Sequence, residues 1–328
     1  MPGFTEDELI ETIRKILSGP LPGVVLGPGD DAALVEMGDR LGVLTADMLV
    51  EGVHFDLGML SPRDLGYKAV AVNVSDVAAM GGSPRFGLVT LGVPKDVEAA
   101  WIVEMYGGLR EAADEYALAL VGGDVSRADR VVISVTVTGE APRGGTVTRS
   151  GAKPEHRIVV TGVLGAAAGG LHLARAQSHD AATDWGHELL RALCRPIARV
   201  GEGQTLAQAG ATAMMDVSDG LALDLSRLCR ESDVGAAVDL TRVPVAPGLG
   251  HLAGVDPLRL ALEGGDDYEL LATMPAWAVE PATEKLWERF GTPLTDIGEI
   301  REGSGLVAVG PDGRERPLEP KGWDHFGA

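Results

Sequence analysis

The sequence predicts a mixed α/β protein with two domains. Its 328 residues are more than one domain usually holds. Segments with the apolar pattern of strands alternate with segments of helical period in both halves of the chain. A glycine-rich stretch at 144–154 separates the halves and indicates a hinge. We therefore predict an N-terminal domain of residues 1–143 and a C-terminal domain of residues 144–328.

Capping signals open the first two helices of the N-terminal half. Thr5 and Glu8 have the spacing of a capping box, and the helix that they begin is expected to end before Pro20. A serine followed by proline at Ser61 predicts a second helix that runs to about Met80. The other elements expected in this half are strands near 42–46, 86–93, 119–121 and 131–138 and a helix near 97–116.

The C-terminal half continues the alternation of strands and helices. The apolar patterns predict strands near 157–161, 213–215, 235–240, 269–273 and 305–309. They predict helices near 162–175, 188–194, 220–230 and 280–290. Each half is therefore expected to be mixed α and β, and no short-period repeat is present.

Charge and composition exclude several classes of partner. The chain has 48 acidic and 28 basic residues, and its net charge of −20 disfavours nucleic acid and anionic membranes. Cys194 and Cys229 lack C-x-x-C spacing, which is typical of a reducing compartment. The N-terminus resembles no signal peptide, and the apolar stretch 158–171 is too short to span a bilayer. We expect a cytoplasmic protein.

Six short acidic motifs indicate the chemistry of the chain. They are Gly29-Asp30-Asp31, Thr45-Ala46-Asp47, Ser75-Asp76, Gly122-Gly123-Asp124, Asp216-Val217-Ser218-Asp219 and Gly264-Gly265-Asp266-Asp267. Most of them fall where an element is predicted to end, so their carboxylates are expected to meet in a crevice. Two such charges about 4 Å apart repel by roughly 4 kcal/mol. Ligands that offer only oxygen atoms favour Mg²⁺ over Zn²⁺.

Each motif also has a simpler interpretation. An Asp-Gly pair is a common turn former. Asp216 and Asp219 either cap the helix that follows or hold an ion, although a cap needs only one of them. His54, beside Phe55, is either a packed residue or part of a site. Asp76 is harder to explain without function, because a carboxylate buried in an Ala/Val-rich helix is costly.

Other site signatures are missing from the sequence. The dipeptide Gly-Lys of a Walker A loop does not occur, and the histidines show no zinc-ligand spacing. No G-x-S-x-G elbow is present. The glycines at 27–29 resemble a dinucleotide fingerprint only superficially, because the adjacent acids would repel a pyrophosphate.

Longer runs of the chain resemble the thiamine-monophosphate kinase family. These runs are residues 29–34, 45–55, 68–81, 122–124, 148–154, 216–221 and 321–326, and they are spread over nearly the whole chain in the family's order. The family belongs with the aminoimidazole-ribotide and selenophosphate synthetases. The resemblance implies a two-domain PurM-like fold and a homodimer whose N-terminal domains pair their sheets into a barrel. ATP would lie between the N- and C-terminal domains.

The resemblance also implies roles for individual residues. Several Mg²⁺ ions around the ATP phosphates would be held by Asp30, Asp31, Thr45, Asp47, Asp76, Asp124, Asp216 and Asp219. ATP itself would contact Gly123, Asp124, Arg149 and Ser218. Thiamine monophosphate would contact His54, Asp266 and Trp323. The predicted reaction transfers a phosphoryl group directly to a phosphate oxygen that is already anionic, so we expect catalysis by metal held at Asp47, Asp76 and Asp124 and no general base.

Three positions depart from the family's pattern. Ala46 stands where a second hydroxyl residue is common, Asp266 replaces a longer Glu, and Ala166 stands where an Asp is common. Two rival functions remain open. One is another ATP-dependent enzyme of the superfamily, although selenophosphate synthetases carry a reactive residue near the N-terminus and this chain has no Cys before Cys194. The other is a non-enzymatic acidic protein that binds cations.

Overall fold

The computed structural model describes residues 5–17, 19, 21–142 and 145–326. The described helices are α1 (Glu6–Ile16), α2 (Pro62–Ala79), α3 (Ala99–Glu115), α4 (Ala166–Ala176), α5 (Asp184–Cys194), α6 (Val200–Ala209), α7 (Leu221–Ser232), α8 (Pro257–Glu263) and α9 (Ala276–Phe290). The first six strands are β1 (Val24–Leu26), β2 (Ala33–Met37), β3 (Arg40–Val50), β4 (Ser83–Val93), β5 (Ala119–Arg127) and β6 (Val132–Glu140). The rest are β7 (Arg157–Thr161), β8 (Ala213–Val217), β9 (Gly235–Asp239), β10 (Glu269–Met274), β11 (Leu294–Arg301), β12 (Gly305–Val309) and β13 (Glu315–Pro317).

The first six strands form one sheet in the order β1-β2-β3-β6-β4-β5. Its neighbouring strands are antiparallel except β4 and β5. One face packs against α2, which in turn packs against α3. In β3 the side chains of Thr45 and Asp47 lie on this covered face, because they pair with the buried Val137 and Val135 of β6. The sheet therefore directs two predicted site residues towards α2.

The other seven strands form a second sheet in the order β13-β12-β9-β11-β7-β10-β8. Both of its faces are covered. Ile158 and Val160 of β7 belong to the core on the side of α7, and Val159 between them belongs to the core on the side of α6 and α9. This alternation is what a strand buried on both faces requires. Each sheet is open, with separate edge strands, so within the described residues neither sheet closes into a barrel.

Helix α2 lies between the two halves of the molecule. It contacts β3 and β6 of the first sheet and also α6 and β8 of the second half. Its crossing with α3 is close enough to need glycine at two positions. A Cβ at Gly66 would lie 2.0 Å from the carbonyl oxygen of Met105, and one at Gly108 would lie 1.7 Å from that of Arg63. α2 is therefore buried on nearly every side, and its polar residues must find partners inside the protein.

Most predicted elements are present, with several differences. The capping bonds of Thr5 and Glu8 and the N-cap bond of Ser61 are confirmed, whereas the expected stop at Pro20 lies outside the described residues. β5 runs through Asp124, so this acid lies within a strand and not at a turn after a short one. Four elements of the second half and two of the first were not predicted. They are α6, α8, β11 and β13, together with β1 and β2.

The predicted domain boundary stays a prediction. The strands do divide between the two sheets on either side of the 144–154 stretch. The ion pairs of α1, however, reach into the second half, where Asp7 pairs with Arg227 and Arg230 and Arg14 pairs with Glu231. Among the helices in the described ranges, none is long and apolar enough to cross a membrane.

Candidate active site

Three carboxylates from separate parts of the chain meet between the two halves. Asp31 precedes β2, Asp76 lies on α2 and Asp216 lies on β8. One oxygen from each lies within 4.8 Å of the oxygens of the other two. Asp31 and Asp216 are buried, and Asp76 is partly buried. The sequence predicted all three as metal ligands, and the structure brings them together.

Polar residues of α2 and β3 hold these acids in place. The hydroxyl of Thr45 donates to Asp76, and the hydroxyl of Ser75 donates to Asp216 across the boundary between the halves. The side-chain oxygen of Asn73 accepts the backbone N–H of Asp47 at 2.8 Å. Asn73 and Asp76, three residues apart on α2, therefore both face β3.

Asp30 and Asp31 are joined to Arg149. The carboxylate of Asp30 accepts the backbone N–H of Arg149 at 3.0 Å, and the guanidinium of Arg149 donates to Asp31 at 2.7 Å. The side chain of Asp31 is fully buried in this ion pair. The first acidic motif and the predicted ATP-binding arginine are thus part of one site.

Burial and mutual repulsion raise the pKa values of these acids. Burial is the main cause for Asp76 and Asp216, whose pKa values lie well above the usual range, and neighbouring carboxylates raise them further. The pKa of Asp47 is raised to about 6 by burial and then by Asp219 and Asp31. That of Asp30 is raised to about 7 by burial and then by Asp31.

Carboxylates held together at this cost, with hydroxyl oxygens beside them, fit a hard divalent cation such as Mg²⁺. We call this part of the site the acidic end; it consists of Asp30, Asp31, Asp47, Asp76 and Asp216.

The structure of the loop after β8 rules out the interpretation that its acids cap the helix that follows. The N-cap of α7 is Gly220 and has no side-chain capping bond, so neither Asp216 nor Asp219 caps that helix. Asp219 instead forms an ion pair with Arg227 at 2.5 Å. The buried Asp224 stabilises the loop, since one of its oxygens accepts three consecutive backbone N–H groups, those of residues 218, 219 and 220, at 3.0–3.1 Å. Sequence reasoning missed Asp224; the available signal was an acid in the first turn of a helix that begins with glycine.

The three residues predicted to bind the second substrate lie near one another, with two further residues. The ring of His54 lies 4.8 Å from that of His325, and the indole N–H of Trp323 donates to His325 at 3.3 Å. Asp266 accepts a hydrogen bond from Lys68 at 2.9 Å and is among the charges that act on His54. We call this part the aromatic end; it consists of His54, Lys68, Asp266, Trp323 and His325. Sequence reasoning missed Lys68 and His325.

The aromatic end is connected to the loop after β8. The backbone N–H of Trp323 donates to the carbonyl of Asp219 at 2.9 Å. The ring nitrogen Nδ1 of His54 accepts the backbone N–H of Val50 at 3.0 Å. Burial, and then the neighbouring His325, lower the pKa of His54 below its ordinary value, which favours the neutral imidazole. His54 is therefore both a packed residue and a neighbour of the site.

Gly123 and Asp124 lie apart from the three-carboxylate cluster. Both are exposed on β5, the edge strand of the first sheet. They line a cavity of about 840 Å³ that also borders Tyr106 and Arg110 of α3. Gly123 has a φ of +155°, and a Cβ there would lie 1.7 Å from the carbonyl oxygen of Val89. The glycine is therefore required by the strand pairing itself.

Comparisons with known proteins agree with this fold. Residues 29–141 match the family model of the AIR synthase related protein N-terminal domain, and residues 153–310 match that of the C-terminal domain. The AaThiL structure complexed with AMPPCP and TMP has a TM-score of 0.88 and 35% sequence identity, and the match covers 99% of this chain and 98% of that one. The fold and the two domain matches define an AIR synthase related protein.

Full-length relatives give the family. The thiamine-monophosphate kinase of Aquifex aeolicus is 36% identical over 321 residues, which cover 97% of this chain and 97% of the relative. That of Bacillus subtilis is 38% identical over 310 residues, which cover 92% and 94%. The chain belongs to the thiamine-monophosphate kinase family.

Proposed function

We propose that this protein transfers a phosphoryl group from ATP to thiamine monophosphate, which gives ADP and thiamine diphosphate. The observation that carries the proposal is the meeting of Asp31, Asp76 and Asp216 between the two halves, in a chain whose full-length relatives are named for this activity. A related structure holds AMPPCP, an analogue of ATP, together with TMP, which we take as thiamine monophosphate. A two-substrate site accounts for the acidic end and the aromatic end.

Phosphoryl transfer to a phosphate oxygen fits a site that is rich in carboxylates. The attacking atom is a phosphate oxygen of the acceptor, which is anionic at neutral pH and needs no general base. The acidic end would hold Mg²⁺, which neutralises charge on the ATP phosphates. Asp31, Asp76 and Asp216 are the proposed central ligands, and the proposed ligands around them are Asp30, Thr45, Asp47 and Asp219. Asp124, which lies apart from them on β5, is a proposed ligand of a further ion beside ATP. Catalysis then depends on how rigidly this chain places its carboxylates, and Thr45, Asn73 and Ser75 provide that rigidity.

The proposed ATP contacts are Gly123, Asp124, Arg149 and Ser218. Arg149 is the most directly supported, because its guanidinium already lies beside Asp31. Gly123 and Asp124 line the cavity between α3 and β5, which has room for a flat ring next to Tyr106. We propose that this cavity takes the adenine base. His54, Asp266 and Trp323 are the proposed contacts of thiamine monophosphate.

We further propose that the protein is a homodimer in which the first sheets of two copies pair into a barrel. The face of this sheet opposite α2 exposes large apolar residues: Met48 is 53% exposed, Phe86 55% and Leu88 47%. In β3 and β4 they pair with Ser134, Thr136 and Thr138 of β6, so they share one face. An apolar sheet face of this kind is typical of an interface. Phe86→Glu should give a monomer by analytical ultracentrifugation; a dimer that persists would argue against this surface.

We also infer a cytoplasmic location. Both cysteines, Cys194 and Cys229, are free thiols, which suits a reducing compartment. The acceptor and ATP are charged molecules that do not cross membranes unaided. Fractionation of the native cells, followed by an assay of each fraction for activity, tests this location.

One experiment tests the function. The purified protein is incubated with ATP, Mg²⁺ and thiamine monophosphate, and the products are separated by chromatography. We expect thiamine diphosphate and ADP in equal amounts. ADP without thiamine diphosphate would favour another ATP-dependent enzyme of the superfamily, and the absence of both products would favour a non-enzymatic cation-binding protein.

A further inference from the structure

Lys68 carries a buried charge that the reaction does not explain. It lies on α2 and is 1% exposed. Its ammonium group donates to the carbonyl oxygen of Leu193 at 3.1 Å and to the carboxylate of Asp266 at 2.9 Å. Removing an ammonium from water costs several kcal/mol, and an ion pair seldom returns more than that cost. Stability alone therefore gives little reason for a lysine at this position.

Asp266 is held in an uncommon conformation. Its φ is +68° and that of Tyr268 is +52°, and both lie in the left-handed region that disfavours residues other than glycine. Such strain persists where the surroundings hold it, and it is concentrated at functional sites. The backbone N–H of Asp266 donates to the carbonyl of Ser218 at 2.7 Å, and that of Tyr268 donates to the carbonyl of Val217 at 2.8 Å. The segment is thus fixed to the loop after β8.

Both oxygens of the Asp266 carboxylate have partners. Oδ1 accepts the hydroxyl of Tyr268 at 2.9 Å, and Oδ2 accepts the ammonium of Lys68. The side chain nevertheless remains 35% exposed. Each carboxylate oxygen can accept a second hydrogen bond, so Asp266 is fixed in orientation and still available to a ligand. Lys68 belongs to the first half of the chain and Asp266 to the second, so this ion pair also fixes the two halves relative to each other at the aromatic end.

We propose that Lys68 is a positioning residue for the phosphoryl acceptor. It orients the Asp266 carboxylate and offsets its charge without touching the acceptor, so that Asp266 accepts an N–H or faces a cationic ring of the acceptor in one geometry. Asp266 is one methylene shorter than the Glu that the family resemblance implies, and a fixed orientation matters more for the shorter side chain. This inference rests on the proposed function, because it needs Asp266 to contact the acceptor.

The test compares Lys68→Met, Lys68→Arg and a control, Arg195→Gln. Methionine keeps most of the length of lysine and removes the charge. Arg195, at the end of α5 and close to Leu193, forms ion pairs with Asp64 at the start of α2 and with Glu111 of α3, and among the described residues it has no bond to the aromatic end. We expect Lys68→Met to raise the KM for thiamine monophosphate about tenfold, the loss of one charged hydrogen bond. In the same variant the KM for ATP should change less than twofold. Lys68→Arg should keep the KM for thiamine monophosphate close to that of the wild type. Arg195→Gln should change neither KM.

A double-mutant cycle separates positioning from general damage. If Lys68 acts through Asp266, then Lys68→Met should change the KM for thiamine monophosphate less than twofold in an Asp266→Asn background. Equal rises of both KM values, additive effects in the cycle, or an unchanged KM in Lys68→Met would each overturn the proposal. If Lys68→Met does not fold, Asp266→Asn carries the comparison, and an unchanged KM for thiamine monophosphate in that variant overturns the proposal. A wild-type protein that yields no thiamine diphosphate removes the function and this role together, whereas wild-type turnover with unaffected Lys68 variants removes only this role.

Discussion

The two ends of the candidate site differ in how the protein treats charge. At the acidic end, carboxylates are crowded and their pKa values are raised by burial and by one another. At the aromatic end, the one carboxylate, Asp266, has a lysine and a tyrosine as partners. Negative charge that the chain compensates only in part, by Arg149 at Asp31, is suited to binding cations and, through them, phosphates. Charge that the chain balances is suited to recognising the shape and hydrogen bonds of an organic ring.

The largest effect is expected at the acidic end. Asp76→Asn and Asp47→Asn should each lower kcat about 1000-fold, because several kcal/mol of charge stabilisation at the phosphates depends on these ligands. The fold should survive, since each change relieves repulsion between buried carboxylates. Steady-state kinetics and melting temperature without metal check this. Full activity in both variants would contradict the assignment of this end to metal binding.

A smaller effect is expected at the loop after β8, which connects the acidic end to the aromatic end. Asp224→Ala removes the acceptor of three backbone N–H groups in the loop after β8, and a buried donor left unpaired costs about 1–3 kcal/mol. We expect a KM for ATP about tenfold higher and a melting temperature several degrees lower. Asp256→Ala is the matched control, because Asp256 accepts two backbone N–H groups at the start of α8. It should lower the melting temperature slightly without a change in KM.

At the aromatic end we expect a moderate and selective effect. Trp323→Ala should raise the KM for thiamine monophosphate several-fold, since stacking or cation–π attraction is worth about 0.5–2 kcal/mol. The KM for ATP should be nearly unchanged. Trp287→Ala, which removes an exposed tryptophan of α9, is the control. A similar rise for both substrates, or a lower melting temperature that accounts for the loss, would assign Trp323 to stability.

The smallest effect is a pH dependence of the melting temperature. It arises from the carboxylates of the acidic end and is measured without substrates. The folded pKa values of Asp30, about 7, and Asp47, about 6, lie above the ordinary value of 3.8, so these two carboxyl groups hold more protons in the folded protein than in the unfolded chain between these limits. Their contribution to stability therefore falls as the pH rises from about 4 to 7. In buffer that contains a chelator to remove metal ions, the melting temperature of the protein should rise by a few degrees when the pH is lowered from 8 to 5. Added Mg²⁺ should reduce this dependence, and a melting temperature that falls over the same interval would contradict it.

The predicted site residues fall into two groups when they are compared with the structure. The chemistry of the acidic motifs, and their convergence, could be predicted from Asp31, Asp76 and Asp216, because a group of buried carboxylates is too costly to be accidental. The turn expected at Asp124 was wrong, since pairing with β4 continues β5 through this residue. Local glycine content indicates a turn, but strand pairing between distant segments can override it.

The sequence by itself determined the class of fold, most of the helices and strands, and the kind of ligand that the acidic motifs suit. These features follow from local periodicity, capping and side-chain chemistry, which act over a few residues. Only the tertiary structure decided that Ser75 reaches Asp216, that Asp224 stabilises the loop after β8, and that Lys68 meets Asp266. Asp224 lies only four to six residues from the N–H groups that it accepts, whereas the other two pairs each join α2 to the second half of the chain. Their contact depends on how α2 packs between the two sheets, and that packing is set by long-range burial and not by any local pattern.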